Sequence, residues 1–290
     1  MSFLEKKLEL IKKLCSQQSY SSYTSLAAHL EKNTEQGTLP NYKISILRNI
    51  TFEPIIPVLQ GEVALLGMQP KIYLGDFDTI ATDVFVPKSN YFLHNSDLTI
   101  LFQWLDGIAP KLVDTSLTSS EEQITEMITN VVTKIKTQIT AIRVQNKNPI
   151  IINNFPQIHR PTLGILDIQS DKSQSSIYSR LNQAILELTK EEEDLLLFDL
   201  VGLYSRIGTL CAFDERHWAL AKTPFSKNSL VPTGQELGRF IRALRGKSRK
   251  CIVLDCDNTL WGGLIGEDGI AGIKLGQDYP GNSFVALQKE

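Results

Sequence analysis

The chain has 290 residues, of which 42% are hydrophobic and 21% are charged, with a formal net charge of −2. This composition is typical of a soluble globular protein with roughly two domains. The near-neutral charge argues against broad electrostatic binding of nucleic acid, and no apolar run reaches the roughly 18–20 residues that span a bilayer. Four cysteines without metal-ligand spacing indicate reduced thiols. Together with a charged N-terminus that does not resemble a signal peptide, they predict a cytoplasmic location.

Residues 1–40 are predicted to form a helical appendage, because Leu4, Leu8 and Ile11 recur at helical spacing in an otherwise polar stretch. Short apolar runs and longer amphipathic segments alternate after it. The pattern predicts strands at 43–47, 71–74, 98–105, 149–152 and 195–200, with helices at 54–66, 119–142 and 177–190. Continuous apolar strands joined by crossover-length helices are typical of a parallel sheet covered on both faces. We therefore predict an α/β domain over residues 41–235.

The segment that follows this domain has the composition of a linker. Residues 221–236 are rich in Pro, Ser, Thr and Lys, so we place the domain boundary near residue 235. A helix at 234–245 and an apolar strand at 251–254 come next. They are predicted to begin a second domain over residues 236–290.

The second domain opens with the most informative motif of the chain. The predicted strand 251–254 runs into Asp255 and Asp257, and Thr259 follows them. A carboxylate at the end of a parallel strand can attack phosphorus and bind Mg²⁺. A second carboxylate two residues later can act as general acid and base. Thr259 can hydrogen-bond the turn, so the motif is suited to phosphoryl chemistry.

The sequence around this motif resembles a known family. Asp255-x-Asp257-x-Thr259 after an apolar strand is similar to the first motif of haloacid dehalogenase-type phosphotransferases. The longer string 254–269, continued by Gly272-Ile-Lys-Leu-Gly276 and Pro280-Gly281, resembles the FkbH-like subgroup. The resemblance implies a Rossmann-like second domain. It also implies an enzyme that loads glyceryl units from 1,3-bisphosphoglycerate onto an acyl carrier protein for polyketide-type assembly.

The resemblance also implies roles for individual residues. Asp255 would be the nucleophile and a Mg²⁺ ligand, and Asp257 would be the general acid and base, with its backbone carbonyl on the metal. Thr259 would orient the loop. Such enzymes carry a further Ser or Thr, a Lys and an acidic pair at positions that would lie after Glu290. We therefore expect an incomplete domain that is inactive by itself.

Cys256 lies between the two aspartates. Its thiolate could take the glyceryl group from the acyl phosphate as a thioester, before transfer to the carrier protein. The alternative is a small buried strand residue, because no His or Lys is visibly placed to activate the thiol. Both interpretations stay open at this level.

A second motif, Asp214-x-x-His217, follows the last predicted strand of the first domain. It resembles the acid and base pair of SGNH-type esterases, whose parallel sheet is flavodoxin-like. The nucleophilic serine of that family is missing, since Asn49 and Thr51 stand after the first strand. The resemblance therefore implies the SGNH-like, flavodoxin-like fold without the hydrolase chemistry. The surface around Asp214 is then expected to form a docking surface or a domain joint.

Three rival interpretations stay open. The chain could be a non-catalytic docking module that presents the SGNH-like domain to a carrier protein. It could be a plain small-molecule phosphatase, which releases phosphate without acyl transfer. An esterase would depend on His217 and would hydrolyse p-nitrophenyl esters. The sequence favours the FkbH-like phosphatase and glyceryl transferase, with Mg²⁺ as its cofactor.

Overall fold

A fully parallel sheet of five strands forms the centre of the first of two units. The computed structural model describes residues 3–32, 39–247 and 251–289. The units are Met1–Arg242 and Ala243–Glu290. The strands are β1 Asn41–Arg48, β2 Gln69–Leu74, β3 Leu98–Phe102, β4 Ile150–Asn153 and β5 Leu195–Phe198. Their order across the sheet is β2-β1-β3-β4-β5.

The α-helices surround this sheet or follow it along the chain. They are α1 Phe3–Ser16, α2 Tyr20–Lys32, α3 Ile56–Leu65, α4 Ile80–Phe85, α5 Asn90–His94, α6 Leu105–Ile108, α7 Lys111–Asp114, α8 Glu121–Gln145, α9 Gln174–Glu191, α10 Leu200–Ile207, α11 Thr209–Ala212, α12 Glu215–Ala221, α13 Lys227–Leu244, α14 Ile265–Gly272 and α15 Gly281–Lys289. Short 3-10 helices lie at Glu53–Ile55, Ser116–Thr118 and Gly164–Gln169. Within the described residues, no helix has the length and apolar character needed to cross a membrane.

The core confirms the predicted α/β fold. Leu101 and Ile150 pack with the apolar faces of α8 and α9. Their chain neighbours Ile100 and Ile151, which point to the opposite face of the sheet, are fully buried as well. Both faces are therefore covered, as the continuous apolar strands predicted. The strand order matches the flavodoxin-like arrangement, in which the chain changes direction between β1 and β3.

The two N-terminal helices pack on α3. Leu14 and Leu26 share a buried cluster with Val58. The Tyr23 hydroxyl donates a 2.5 Å hydrogen bond to the Glu62 carboxylate, and Gln235 of α13 donates to the same hydroxyl at 3.2 Å. Both Tyr23 and Glu62 are buried. A polar contact inside the unit thus ties α2 to α3 and α13.

Glu62 should make the stability of the chain depend on pH. Burial raises the pKa of its carboxyl above the ordinary value of 4.5, against the opposing effects of the Tyr23 hydrogen bond and the nearby Arg242 and Arg239. The folded chain then holds the proton to higher pH than the unfolded chain does. This contribution is therefore fully present below pH 4.5 and is lost as pH rises through the folded pKa, at about 1.4 kcal/mol per unit of pKa difference.

Glu62→Gln should remove this dependence, because glutamine keeps the shape without the ionisable group. Urea unfolding at pH 4.5 and at neutral pH should show the variant gaining stability relative to wild type as the pH rises. Glu9→Gln is the matched control, since Glu9 is exposed in a surface ion pair with Lys6. An unchanged difference between wild type and Glu62→Gln at the two pH values would contradict the prediction.

The segment predicted as a linker is largely helical. Residues 227–236 begin α13, and Ser229 and Thr233 are fully buried within it. A Cβ atom on Gly234 would lie 2.4 Å from Cγ1 of Val58, so this glycine lets α13 approach α3 closely. The small and polar residues that resemble a linker in sequence are therefore helix-packing residues. The predicted boundary at 235 falls inside α13.

The predicted strand at 251–254 does not form. The segment has no strand pairing, and Ile252 and Val253 are 79% and 90% exposed. A parallel strand needs hydrogen bonds from a neighbouring strand, and the described residues of the second unit supply none next to this segment. The apolar run is therefore unpaired and exposed. The placement of Asp255 at a strand end was wrong.

Candidate active site

The first unit has a cleft where the chain changes direction in the sheet. The loops after β1 and β3 meet there, at the edge where open parallel sheets bind ligands. The cavity is about 180 Å³, and it is lined by the loops after β1 and β2, by α6, which follows β3, and by the C-terminal part of α12. The lining residues are Asn49, Phe77, Asp78, Asp106, Gly107, Trp218 and Lys222.

Asparagine side chains join the strand ends beneath this cleft. The Asn49 amide accepts from the Trp104 N–H at 2.7 Å and donates to the Trp104 carbonyl at 3.0 Å. Asn153 makes the same pair of contacts with the backbone of Gln103, at 2.9 Å each. Gln103 and Trp104 follow β3 directly. The two side-chain amides form the hydrogen bonds with their backbone that neighbouring strands would form if β3 continued. Asn49 is therefore a structural bracket between the ends of β1 and β3.

Lys222 and Asp106 face the cleft with opposite charges. The Lys222 backbone is fixed by the Thr51 N–H, which donates to its carbonyl at 3.0 Å. Its ammonium lies 4.8 Å from the Trp218 ring centroid, a cation–π contact. Although Asp106 reaches solvent, desolvation in the cleft raises the pKa of its carboxyl, and the nearby His159 and Lys222 oppose that shift.

Asp214 and His217 lie together, as their spacing predicts, but they work as a helix cap. Asp214 accepts a hydrogen bond from the His217 backbone N–H at 2.9 Å at the start of α12. The His217 ring lies 3.5 Å from the same carboxylate. Thr51 is the hydroxyl residue that follows the first strand, and its hydroxyl donates to the Ala221 carbonyl. The hydroxyl is therefore already hydrogen-bonded and is not free to act as a nucleophile. The structure gives no support to esterase chemistry at this pair.

The Asp255 motif of the second unit forms a tight loop. The Cys256 carbonyl accepts hydrogen bonds from the backbone N–H groups of Thr259 and Leu260, at 3.2 and 2.8 Å. Asn258 takes a left-handed conformation with φ 54°, and its side chain accepts from the Gly263 N–H at 2.9 Å. The loop is therefore held by its own backbone and side chains, although no strand precedes it.

Glycines close the back of this loop. Gly262 exchanges backbone hydrogen bonds of 3.1 and 2.7 Å with Lys274, which joins the loop to the Gly272-Ile-Lys-Leu-Gly276 string. A Cβ atom on Gly262 would lie 2.9 Å from the Phe284 ring, and Gly263 has a φ of 100°. Larger residues would clash or be strained at these two positions.

The two aspartates have different surroundings. Asp255 is exposed and accepts one hydrogen bond, from the adjacent Cys256 N–H at 2.8 Å. Asp257 is half-buried, and its Oδ1 accepts from the Trp261 indole N–H at 3.0 Å and from the Ile265 N–H at 3.2 Å. Asp255 is thus accessible to a substrate, and Asp257 is fixed in one orientation.

The predicted Mg²⁺ ligands fit the metal in chemistry. Mg²⁺ prefers oxygen ligands and is commonly held by one or two carboxylates together with waters and substrate phosphate. Asp255 has an exposed carboxylate that could bind the metal, and the family resemblance implies that Asp257 would add its backbone carbonyl. In the part of the chain that the structure describes, no cluster of three acidic, histidine or cysteine ligands surrounds them. The pair would therefore supply a minority of the ligands.

The other two predicted residues lie in the same loop. Cys256 has an exposed, free thiol, so it is not the buried strand residue of the alternative interpretation. Thr259 contributes its backbone N–H to the turn. The role of the thiol as an acyl acceptor stays a prediction.

Sequence reasoning missed the residues that hold the loop. Trp261 lies in the string that resembles the FkbH-like subgroup, but its contact with Asp257 was not predicted. Asp268 accepts from the Leu264 N–H at 2.8 Å and was not assigned any role. The sequence signal for the contact between Trp261 and Asp257 is a tryptophan four residues after an acidic residue.

Fold and motif together define the class: a flavodoxin-like α/β domain followed by a unit that carries an Asp-x-Asp loop. The family model "FkbH, N-terminal domain" matches residues 43–236, well over half of the chain. The chain belongs to the FkbH family.

Comparison with solved structures supports the same fold. The N-terminal part of BF1531 from Bacteroides fragilis, described as containing a phosphatase domain complexed with Mg, aligns with a TM-score of 0.74 and 22% identity. The alignment covers 90% of this chain and 68% of that one.

Acetylxylan esterases are much more distant. Axe2 from Geobacillus stearothermophilus aligns with a TM-score of 0.44 and 12% identity, over 74% of this chain and 100% of that one. AlAXEase reaches 0.43 with 11% identity, over 69% and 99%. Similarity this low supports no inference about activity. A search among curated proteins found no significant match.

Proposed function

We propose that this chain belongs to a Mg²⁺-dependent phosphatase and acyl transferase that moves a glyceryl unit from 1,3-bisphosphoglycerate to an acyl carrier protein in polyketide-type biosynthesis. The observation that carries the proposal is the pairing of an accessible Asp255 with a fixed Asp257 in one loop of an FkbH-family chain. The cytoplasmic location predicted from the sequence is part of this proposal.

The two aspartates divide the removal of phosphate between them. The Asp255 carboxylate attacks the phosphorus of the 3-phosphate, so that a bond from phosphorus to Asp255 forms as the bond to the substrate oxygen breaks. Asp257 gives its proton to that leaving oxygen. It then takes a proton from the water that cleaves the aspartyl phosphate. Bound Mg²⁺ would neutralise the phosphate charge.

Cys256 is placed beside the same aspartates for the acyl step. Its thiolate attacks the carbonyl of the acyl phosphate, forming a thioester while the bond from carbon to the phosphate oxygen breaks. The thiol of the carrier's phosphopantetheine arm then attacks the thioester and releases Cys256. The Cys256 thiol is free and exposed, which supports its role as the acyl acceptor.

Cys256→Ser should abolish the glyceryl thioester, since a hydroxyl at this position lacks the nucleophilicity of a thiolate. Intact-protein mass spectrometry after incubation with the donor should show a glyceryl adduct on wild type alone. Cys251→Ser is the matched control, because Cys251 is also exposed and lies outside the loop. An adduct that persists in Cys256→Ser would contradict the acyl-enzyme step.

The function as a whole is tested by adding 1,3-bisphosphoglycerate, Mg²⁺ and a phosphopantetheinylated carrier protein. The assay is run on this chain and on the product of the complete reading frame that contains it. A carrier mass increased by one glyceryl group, together with released phosphate, is the expected result. Phosphate release without any change of carrier mass would favour a small-molecule phosphatase instead.

A surface of the first unit favours the docking module as the second candidate. Ile165 and Ile168 are 91% and 82% exposed on the Gly164–Gln169 helix. Buried Asp167 anchors this segment by accepting the Gln174 and Ser175 N–H groups at 3.1 and 3.0 Å. Rigidly held aliphatic side chains in solvent are typical of a protein contact. Carrier binding by this chain without turnover would favour this candidate.

A further inference from the structure

We infer that Trp261 is the positioning residue for the acid and base of this site: its indole holds Oδ1 of Asp257 and leaves Oδ2 as the oxygen that carries the proton. The inference rests on the proposed function, because it concerns the aspartate that would protonate the leaving group. It adds a residue that neither the motif pattern nor the family match assigns to the chemistry.

Among the described residues, the hydrogen-bond donors to the Asp257 carboxylate all contact one of its two oxygens. Oδ1 accepts two hydrogen bonds, from the Trp261 indole at 3.0 Å and from the Ile265 backbone at 3.2 Å. Among the described residues, Oδ2 accepts none. An oxygen that already accepts two N–H donors is a poor place for a proton, since a proton there would displace or repel them. The free oxygen is the one that can exchange a proton with a substrate.

The backbone that carries the indole is held on both sides of Trp261. The Asp257 and Trp261 backbones form an isolated parallel bridge. Gly262 fixes the following residue against Lys274, and Gln288 of α15 donates to the Leu260 carbonyl at 2.5 Å. Trp261 therefore has little freedom to move away from the carboxylate. Its position is set by the backbone of the loop rather than by the substrate.

A positioning role has a consequence that a purely structural role lacks. An acid that protonates the leaving oxygen matters most when that oxygen leaves as a poor leaving group. Loss of the indole contact should therefore slow the cleavage of an alkyl phosphate strongly. It should affect p-nitrophenyl phosphate little, because its leaving group departs without protonation.

Trp261→Phe tests the inference by removing the N–H donor while keeping an aromatic ring. In the product of the complete reading frame, with Mg²⁺, kcat/KM for glycerol 3-phosphate should fall about tenfold or more, a part of the roughly 10²–10⁴-fold that a general acid contributes. The kcat/KM for p-nitrophenyl phosphate should change less than about threefold, because kcat/KM reports formation of the aspartyl phosphate and not its later hydrolysis. Tyr279→Phe is the matched control, because it also removes a polar donor and keeps an aromatic ring, at a side chain of the same unit that is 85% exposed.

A nuclear magnetic resonance measurement tests the contact without any turnover. The chain has three tryptophans, so a ¹⁵N-labelled sample gives three indole N–H signals, and Trp261→Phe identifies one of them. That signal should move upfield in Asp257→Ala and stay in place in Tyr279→Phe, which changes an exposed side chain of the same unit. An unmoved signal in Asp257→Ala would overturn the contact.

Equal losses of kcat/KM for both phosphates in Trp261→Phe would overturn the positioning role. If the product of the complete reading frame without substitutions releases phosphate from neither substrate, the proposed function fails. The indole signal then decides alone whether Trp261 holds Asp257.

Discussion

Asn49→Leu should lower the free energy of unfolding by about 2–6 kcal/mol, because it leaves two buried backbone groups without partners. Asn49 is 5% exposed and satisfies both the N–H and the carbonyl of Trp104, at 2.7 and 3.0 Å. Leucine has a similar volume but no polar atoms, and each orphaned group costs about 1–3 kcal/mol. Urea unfolding followed by circular dichroism measures the loss as a lower transition midpoint.

Asn130→Leu is the matched control for this change. Asn130 lies on the exposed side of α8, so the same substitution there should change stability by no more than about 0.5 kcal/mol. If Asn49→Leu is as stable as the control, then the bracket between the ends of β1 and β3 does not hold the fold. In that case the position would be free for a role in the cleft above it.

The centres of the strands were predictable because a buried strand consists mainly of apolar residues. Each of the five observed strands overlaps a continuous apolar run, and the parallel order follows from the crossover helices. The strand ends were not predictable in the same way. The apolar run 98–105 continues past Phe102, where β3 stops because Asn49 and Asn153 take over the backbone hydrogen bonds. Those partners are far away in sequence.

The errors in the C-terminal half have physical causes of the same kind. Residues 221–236 resemble a linker because small residues occur both in flexible linkers and in closely packed helices. The close approach of Gly234 to Val58 shows that here they pack helices, and this contact is not visible in the sequence. The run 251–254 is apolar enough for a strand, but pairing depends on a neighbour and not on composition. The loop of Asp255 was predictable from its motif. The Trp261 contact depends on the turn geometry, which the sequence does not display.

Asp255→Asn should reduce Mg²⁺-dependent phosphate release by about 10³-fold or more, because it removes the nucleophile and a charged oxygen ligand at once. Asparagine keeps the side-chain oxygen that accepts the Cys256 N–H at 2.8 Å, so the loop should keep its shape. Phosphate release from glycerol 3-phosphate, in the product of the complete reading frame, measures the loss. Hydroxylamine trapping should detect an aspartyl phosphate in wild type and none in the variant.

Asp268→Asn is the matched control, since it makes the same change of charge within the same unit. Asp268 accepts the Leu264 N–H at 2.8 Å, which the asparagine oxygen can also do, and it has no part in the proposed chemistry. Its phosphate release should stay within about threefold of wild type. If both variants lose activity equally, the loss reflects the negative charge of the unit as a whole. Selective loss in Asp255→Asn, with its trapped intermediate gone, assigns the nucleophile to that carboxylate, because charge and loop structure are matched between the two proteins.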